Sequence, residues 1–401
     1  MKTADHAPAR CPFESAGDDR KSARLAAEQL QYDPSARLVE SFAFGREILR
    51  SPAMRQAADI GADRFDINNH AATPVIFLDG EPHRRKRAAI AKFFTPKAMS
   101  TQYHAVMEAA TNTLLHKLQD SGCGRLDVIS FELAVTVASE IVGLTNSDMA
   151  AMSGRIASAF ASGTARRRGR IDEAIGSLLV ALKTLYFFYR DVRPAIAARR
   201  KARREDVISQ LLDQGASEKA ILMECMVYAS AGMVTTREFI VMAAWHLFDR
   251  ADLRQRFIDG DEQEQFAILD EVLRLEPVAG LVHRRAAEDL PDTLGGQVHA
   301  GDQFAIDIRA ANTDEAVVGP SPRSLNPDRA GQTKTAGAHL SFGDGPHRCP
   351  GAQVAMHETR IFLDALFRLP GLHLERAPDM LWNSSLMSYE LRKAVVVCDR
   401  K

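Results

Sequence analysis

The sequence is poor in cysteine, lacks a long apolar run and carries almost no net charge. Its five cysteines are scattered and odd in number, a pattern typical of a reducing compartment and not of a disulfide framework. There is no run of about 18 apolar residues, and the N-terminal segment has no apolar core, so we expect neither a membrane span nor a secretory signal. A formal net charge of -1 disfavours a general nucleic-acid binder. We expect a cytoplasmic protein.

The chain also lacks a Pro/Ser-rich linker, an internal repeat and a low-complexity tract. Its 401 residues therefore predict one large unit, although roughly 150 residues per domain is a common ratio. We expect a single catalytic domain over residues 21–401, a flexible segment over residues 1–20, and a monomer.

Most of the sequence has helical periodicity. Apolar residues recur every three or four positions over residues 44–54, 81–94, 103–120 and 253–276, and Pro96 and Pro277 predict helix ends. The longest predicted helix, Ser217 to Phe248, is apolar nearly all round and should lie buried in the middle of the protein. Strand patterns are confined to residues 37–44, 295–308 and 392–398. The sequence predicts a mainly α fold with small marginal β-sheets.

One ten-residue stretch, FGDGPHRCPG at residues 342–351, crowds three glycines and two prolines around Cys349. Such a composition predicts a tight, specially shaped loop. The cysteine has three possible uses: a buried structural thiol, a zinc ligand together with His339, His347 and His357, or an axial thiolate on haem iron. Backbone N–H groups and the N-terminus of a following helix, with Pro350 as its first residue, would favour a thiolate.

The stretch resembles the haem-binding signature of the cytochrome P450 family of haem-thiolate monooxygenases, through Phe342, Gly345, Cys349 and Gly351. Further matches keep the family's order along the chain. They are His83 and Arg87, Glu271 and Arg274, Arg284, Arg329, and the stretches AANTDE and AHLSFG.

The resemblance implies haem b between the long central helix and the Cys349 loop, with Cys349 as the iron ligand and Phe342, Gly345 and Gly351 shaping its surroundings. It also implies a structural ion-pair cluster of Glu271, Arg274 and Arg329. The residues implied as partners of the haem propionates are His83, Arg87, Arg284, His339 and His347.

In the central helix the resemblance implies that Gly232 and Thr235 form a notch for O₂, with Thr235 donating or relaying a hydrogen bond. The alternative is a kinked core helix whose threonine bonds its own backbone. Val234 departs from the family, which has an acid at this position to deliver protons. Glu238 and Arg237 are charged neighbours that either face the site or point away from it.

The resemblance further implies a ferredoxin as electron donor, attracted to a basic patch of Arg84, Arg85, Lys86 and Arg348. A second basic cluster at residues 166–170 would receive an acidic carrier protein or anionic substrate, or is solvated loop charge. Substrate contacts would come from residues 60–76 and the central helix, the segment after the Glu271 helix and a late turn. From these last three segments we single out Met233, Arg237, Val278, Val282 and Tyr389.

We therefore expect a secondary-metabolism monooxygenase that oxidises a small organic substrate. The same scaffold with altered chemistry, such as oxidative coupling, dehydrogenation or peroxide-driven oxidation, is the first alternative because of Val234. A haem sensor without catalysis is the second.

Overall fold

The computed structural model describes residues 17–57, 73–164, 170–332 and 339–401. Ten helices precede the central helix in these ranges: α1 (Ala23–Gln29), α2 (Phe42–Arg50), α3 (Gly80–Ala91), α4 (Pro96–Ala98), α5 (His104–Ser121), α6 (Leu126–Val142), α7 (Met149–Thr164), α8 (Arg170–Phe187), α9 (Arg193–Lys201) and α10 (Val207–Asp213). Short π-helical segments lie at Met99–Tyr103 and Phe188–Val192.

The central helix is continuous from residue 218 to residue 249, as predicted. It consists of α11 (Glu218–Tyr228), a π-helical segment (Ala229–Val234) and α12 (Thr235–Asp249). The Ser217 side chain caps its start by accepting the Ala220 N–H. Six described helices follow: α13 (Ala251–Asp259), α14 (Glu262–Leu275), α15 (Ile308–Asn312), α16 (Glu315–Val318), α17 (Arg329–Gln332) and α18 (Ala352–Phe367).

The strands form four small sheets around this helical body. They are β1 (Arg37–Val39), β2 (Met54–Gln56), β3 (Cys123–Arg125), β4 (Leu281–Ala286), β5 (Leu290–Thr293), β6 (Gly296–Val298), β7 (Gln303–Asp307), β8 (His373–Arg376), β9 (Asp379–Asn383), β10 (Ser388–Arg392) and β11 (Val395–Val397). The sheet orders are β1-β7-β4-β2, β3-β11-β8, β9-β10 and β5-β6. Among the strand pairs of the described residues, only β1–β7 is parallel.

The predicted fold class is confirmed, but some predicted boundaries are wrong. The strand predicted over residues 37–44 ends at Val39, because Ser41 caps α2 by accepting the Phe44 N–H. The helix predicted over residues 253–276 is interrupted at Gly260, and Asp261 caps a new helix, α14. None of the described helices is long and apolar enough to cross a membrane.

The apolar core surrounds the central helix. Ile240, Val241, Met242 and Ala243 on successive positions of α12 are fully buried, which is the outcome expected of a helix that is apolar on every side. A second apolar cluster lies between α2 and the four-stranded sheet. Helix α18, which follows the Cys349 loop, packs against both α12 and α5. This packing fixes the Cys349 loop relative to the central helix.

Candidate active site

The Cys349 loop is closed by its own backbone. The Cys349 N–H donates to the Phe342 carbonyl oxygen at 2.8 Å, and Gly343 and Gly345 have φ angles of 68° and 66°. A side chain at Gly345 would place its Cβ 2.2 Å from the Leu49 carbonyl oxygen, so glycine is required there by the packing on α2. Gly345 thus allows the loop to pack closely against α2, and its role is not to bring a backbone N–H close to the sulfur.

The Cys349 sulfur lies at the N-terminal end of α18. Burial raises the pKa of the thiol, whereas the Gly351 N–H and the nearby Arg87 and Arg348 lower it. The prediction that Pro350 is the first residue of this helix is wrong: Gly351 is the N-cap and α18 begins at Ala352. The sulfur still lies within one turn of the helix start, where the peptide dipoles favour a negative charge.

Four of the five predicted propionate partners lie together beside the loop. The ring centroids of His83 and His347 are 4.0 Å apart. The positive charges of Arg87 and Arg284 both lower the pKa of His83. Arg87 also donates to the Arg348 carbonyl oxygen at 2.5 Å, next to Cys349. Helix α3 carries His83 and Arg87, strand β4 carries Arg284, and the Cys349 loop carries His347.

Three of these four basic side chains are held in a poorly solvated place. Burial lowers the pKa of His83 to about 4, and it lowers the pKa of Arg284 to about 10. Burial also lowers the pKa of Arg87. Such shifts mean that the cluster lacks sufficient negative charge to compensate its desolvation. Two carboxylates of a ligand would supply that charge, so the cluster and the neighbouring thiol fit a haem with its propionates.

His339 does not join this cluster. Its Nε2 faces the Asp270 carboxylate on α14 at 3.5 Å, and its Nδ1 accepts the Ser341 N–H at 3.2 Å. Both ring nitrogens are therefore engaged by the protein. This geometry corrects the expectation that His339 contacts a propionate.

The zinc alternative is not supported by the geometry. His339 faces Asp270, His347 contacts Gln56 and Asp79, and the His357 ring packs edge-on against Phe266 with ring centroids 4.9 Å apart. Among the described residues, no group of three His, Cys, Asp or Glu side chains converges on a metal position.

The Glu271 cluster has the predicted partners. Arg274 donates twice to the Glu271 carboxylate at 2.7 Å, and Arg329 donates to the same carboxylate at 3.0 Å. All three side chains are buried. Arg274 and Arg329 also donate to the Ser324 carbonyl oxygen, so the cluster ties α14 to the segment that leads toward the Cys349 loop.

The central helix widens where the notch was predicted. The π segment ends at Val234, and a Cβ added at Gly232 would meet no atom within 4 Å, so this side of the helix is open. The Thr235 hydroxyl donates to the Ala231 carbonyl oxygen at 2.7 Å. The structure therefore combines the two alternatives: an open notch at Gly232, and a threonine bonded to its own backbone. A π-helical turn inside an α-helix is frequent at functional sites.

Arg237 and Glu238 point away from this notch. The fully buried Glu238 carboxylate accepts from Arg237 at 2.7 Å, from the Leu391 N–H at 2.8 Å and from Arg392 at 2.8 Å. The Arg237 guanidinium also lies over the Phe131 ring. These contacts tie α12 to the β9–β10 hairpin. The expectation that Arg237 meets substrate, or that Glu238 delivers protons, is corrected to a structural role.

The other predicted substrate contacts are mostly core residues. Met233 and Tyr389 are fully buried in the main apolar cluster, and the Tyr389 hydroxyl donates to the Glu276 carbonyl oxygen at 3.0 Å. Val278 is buried in the same cluster, whereas Val282 is only partly buried against the sheet. Most of the predicted segment 60–76 and most of the basic cluster 166–170 lie outside the described residues.

Two polar residues that no sequence pattern indicated belong to the same cluster as His83. Asp79 accepts the Gln56 N–H at 3.1 Å and contacts His347 Nε2 at 3.1 Å, and the Gln56 side chain contacts both His347 and Arg284. Asp79 precedes α3 and reads as an ordinary helix cap, although its side chain caps nothing. Gln56 lies on β2 with no sequence signal of its own.

A basic surface surrounds the loop, but its members differ from the prediction. Arg84 and Arg85 are exposed and both pair with Glu81, while Arg348 is exposed beside the cysteine. Lys86 turns inward to Glu224 and the Thr73 carbonyl oxygen. Arg46 and Arg50, which the sequence analysis did not single out, contact Asp344 of the loop.

Comparison with known proteins agrees with this geometry. The cytochrome P450 family model matches residues 266–380, which contain the Glu271 cluster and the Cys349 loop. The chain is 28% identical to a biotin biosynthesis cytochrome P450 of Bacillus subtilis over 316 residues, covering 76% of this chain and 75% of the relative. It is 25% identical to nocardicin C N-oxygenase of Nocardia uniformis over 377 residues, covering 90% of each chain.

A solved structure shares the fold. It is P450BioI in complex with an acyl carrier protein ligated to hexadec-9Z-enoic acid, which superposes with a TM-score of 0.74 at 22% identity and covers 94% of this chain and 97% of that chain. Its helical body and small sheets correspond to those described above. Taken with the family match, these relatives support the identification of the chain as a member of the cytochrome P450 family of haem-binding oxidoreductases.

Proposed function

We propose that this protein is a monooxygenase in which Cys349 ligates the iron of haem b and electrons come from a ferredoxin system. The observation that carries the proposal is the position of the Cys349 thiol. It lies at the start of α18, beside the Gly351 N–H and Arg87, in a loop whose single histidine, His347, stacks on His83 of the poorly solvated basic cluster. When bound, the haem supplies oxygen activation, which an axial thiolate favours.

His83, Arg87 and Arg284 would hold the propionates. Each is a donor on a different side of one buried cluster, and each loses solvation on folding. A hydrogen-bonded ion pair with a propionate would offset the unfavourable desolvation of these side chains, because a buried charge is tolerated when it is paired. His347 would orient His83 by ring stacking, since its own nitrogens contact Gln56 and Asp79.

The Glu271 cluster would hold the loop and keep water from the thiol side. Its carboxylate accepts from two arginines that also donate to carbonyl oxygens of residues 312–324. Such a network has few alternative arrangements, because every nitrogen of the two buried guanidinium groups donates a hydrogen bond. Its proposed role is therefore positioning and not chemistry.

Thr235 would control a proton at the open side of the central helix. Its oxygen can accept a hydrogen bond while its hydrogen is given to Ala231, so it can orient a donor above the Gly232 notch. Val234 cannot exchange a proton, and Glu238 is committed to Arg237 and the hairpin. Protons would then reach Thr235 through water or through the substrate.

The missing acid supports a second candidate, an altered oxidation on the same scaffold. Oxidative coupling, dehydrogenation and peroxide-driven oxidation differ from hydroxylation in their demand for protons. Nocardicin C N-oxygenase, one of the relatives, is named for an N-oxygenation. A substrate heteroatom with its own exchangeable proton would suit a site in which the helix offers none.

The electron donor would be an acidic protein that docks on the basic surface beside the loop. Five arginines lie there, and in the ion pairs described above their carboxylate partners are two residues, Glu81 and Asp344. The arginines are Arg46, Arg50, Arg84, Arg85 and Arg348. A surplus of positive charge attracts an acidic partner and increases its association rate at low salt. The substrate is a small organic molecule, free or carried on an acyl carrier protein as in the solved P450BioI complex.

The absorption spectrum tests the iron ligand. We expect the reduced, carbon monoxide-bound protein to show the strongly red-shifted Soret band of thiolate ligation, and Cys349→Ser to lose it. Cys225→Ser, which removes a fully buried thiol elsewhere on the central helix, is the matched control and should keep the band. A histidine-type band in the wild-type protein would overturn the proposal.

A further inference from the structure

Helix α8 and the π segment after it present an apolar stripe to solvent. Seven large side chains on this stretch are between 46% and 60% exposed. Other exposed large apolar residues in the described ranges occur singly, as at Tyr32, Val128 and Leu381. The seven are Ile175, Leu178, Leu179, Leu182, Leu185, Tyr186 and Tyr189.

The stripe is symmetric about Leu182. Its other members lie three, four and seven residues before Leu182 and three, four and seven residues after it. The set therefore maps onto itself when the direction of the helix is reversed. Packed antiparallel against its own copy, Ile175 meets Tyr189, Leu179 meets Leu185, and Leu182 meets itself. An apolar helix face at three- and four-residue spacing generally has this symmetry, so the spacing permits a two-fold interface, and the choice of occupant rests on the charges and the area.

The described exposed charges at the two ends of the stripe differ in sign. Asp172 is exposed before the stripe, and Arg190 and Arg193 are exposed at its far end. An antiparallel copy places Asp172 of each chain near the arginines of the other, whereas a parallel copy places like charges together. The opposite face of α8 is already occupied, since Lys183 donates to the Ser158 carbonyl oxygen on α7 at 3.0 Å.

The area is sufficient for a specific dimer. Seven large side chains exposed by about half offer on the order of 700 Å² per chain, and specific interfaces bury about 800 Å² per partner. A contiguous apolar patch of this size exceeds the roughly 300–600 Å² that is typical of the largest patch on a monomer. We propose that a second copy of this chain docks antiparallel on α8, forming a two-fold homodimer in place of the expected monomer.

Sedimentation velocity of the haem-loaded protein tests the proposal between about 1 and about 100 µM, the range in which such interfaces associate. We expect dimers in the wild type, and a dissociation constant raised by roughly thirtyfold or more in Leu182→Glu, which brings two like charges together at the axis. Leu294→Glu, at another exposed leucine, is the matched control and should still dimerise. A monomeric wild type, or equal effects of the two variants, would overturn the proposal.

Charge exchange tests the antiparallel direction. Asp172→Arg should weaken the dimer, and adding Arg193→Asp to the same chain should restore it, because each pair is re-formed with reversed signs. No restoration would reject the antiparallel arrangement. A monomeric wild type that instead co-sediments with phosphatidylcholine–phosphatidylglycerol vesicles, and loses this in Leu182→Glu, would assign the stripe to a lipid surface and overturn the dimer.

Discussion

The Thr235 hydroxyl donates to the Ala231 carbonyl oxygen, 2.7 Å away and one turn earlier on the central helix. The two residues flank the end of the π segment, whose widened turn leaves the Gly232 side of the helix open. Thr235 is thus oriented by its own backbone, with its oxygen lone pairs still available. Proton transfer at this place depends on what donates to that oxygen.

Removal of the Thr235 hydroxyl should uncouple electron use from oxidation. We expect Thr235→Ala to lower the product formed per electron pair by roughly a hundredfold, the low end of what a positioned proton donor contributes. The measurement is hydrogen peroxide released per reduced cofactor consumed, with a substrate identified by its shift of the Soret band. Thr236→Ala is the matched control, since its hydroxyl donates to the Gly232 carbonyl oxygen and should be dispensable. Equal effects of the two changes would contradict a special role for Thr235.

An acid at position 234 should increase coupling if its absence limits hydroxylation. We expect Val234→Asp to raise product per electron pair several-fold, whereas Val234→Asn, of similar shape but without an exchangeable carboxyl proton, should not. The comparison matters because Val234 is buried in the main cluster and either polar residue lowers stability. If both variants form as much product per electron pair as the wild type, the proton supply at position 234 is not limiting. The missing acid would then no longer support the altered oxidation as a candidate.

Loss of the Glu271 carboxylate should destabilise the haem site and not merely lower the rate of the reaction. We expect Glu271→Ala to lower the free energy of unfolding by about 3–5 kcal/mol, because Arg274 and Arg329 would remain buried without their counter-ion. Denaturant unfolding and the haem-to-protein absorbance ratio measure this. Glu81→Ala, which breaks two exposed pairs with Arg84 and Arg85, should cost less than about 1 kcal/mol. Full haem content in Glu271→Ala would refute the positioning role.

Glu358 on α18 should make stability fall at high pH. Burial raises the pKa of this carboxyl to about 8, and its Oε1 has no hydrogen-bond partner among the described residues. The folded protein keeps a proton that the unfolded chain loses between about pH 4.5 and 8, so stability declines as pH rises through that window. We expect Glu358→Gln to have a free energy of unfolding higher than that of the wild type by on the order of 2–4 kcal/mol at about pH 8.5. At about pH 4.5 the two proteins should have similar free energies of unfolding.

The matched control for this experiment is Glu375→Gln, at an exposed carboxyl on β8. It should leave the pH dependence unchanged. A Glu358→Gln protein that shows the same decline between pH 4.5 and 8 as the wild type would mean that Glu358 is ionised in the folded state.

Reversal of charge on α3 should weaken the binding of the electron donor. We expect Arg84→Glu with Arg85→Glu to raise the KM for an acidic ferredoxin by roughly tenfold at low salt, an effect that shrinks as added salt screens the charges. Steady-state reduction of the haem protein at several ionic strengths provides the measurement. Arg24→Glu, at a similarly exposed arginine on α1, is the control. Equal salt dependence in both proteins would place the donor elsewhere.

The sequence was most informative where a pattern constrains the backbone or where the resemblance names the partners. The apolar central helix and the closed Cys349 loop follow from periodicity and glycine content, whereas the pairs of Glu271 with Arg274 and Arg329 follow from the resemblance; all three are present in the structure. It was least informative where a charged side chain has several neighbours to choose from. Glu238 and His339 could each have faced the site, but contacts far away in sequence engage them instead. Spacing along a helix cannot reveal a partner that a hairpin brings from elsewhere.

The bond between Glu238 and the Leu391 N–H spans 153 positions of the chain. During synthesis the ribosome makes the carboxylate first, and its hairpin partners follow after about ten to thirty seconds at common elongation rates. Until then the Glu238 carboxylate lacks two of its three partners in the folded protein, the Leu391 N–H and Arg392. We therefore expect the helix that carries Gly232 and Thr235 to reach its final buried position only after the β9–β10 hairpin has been made.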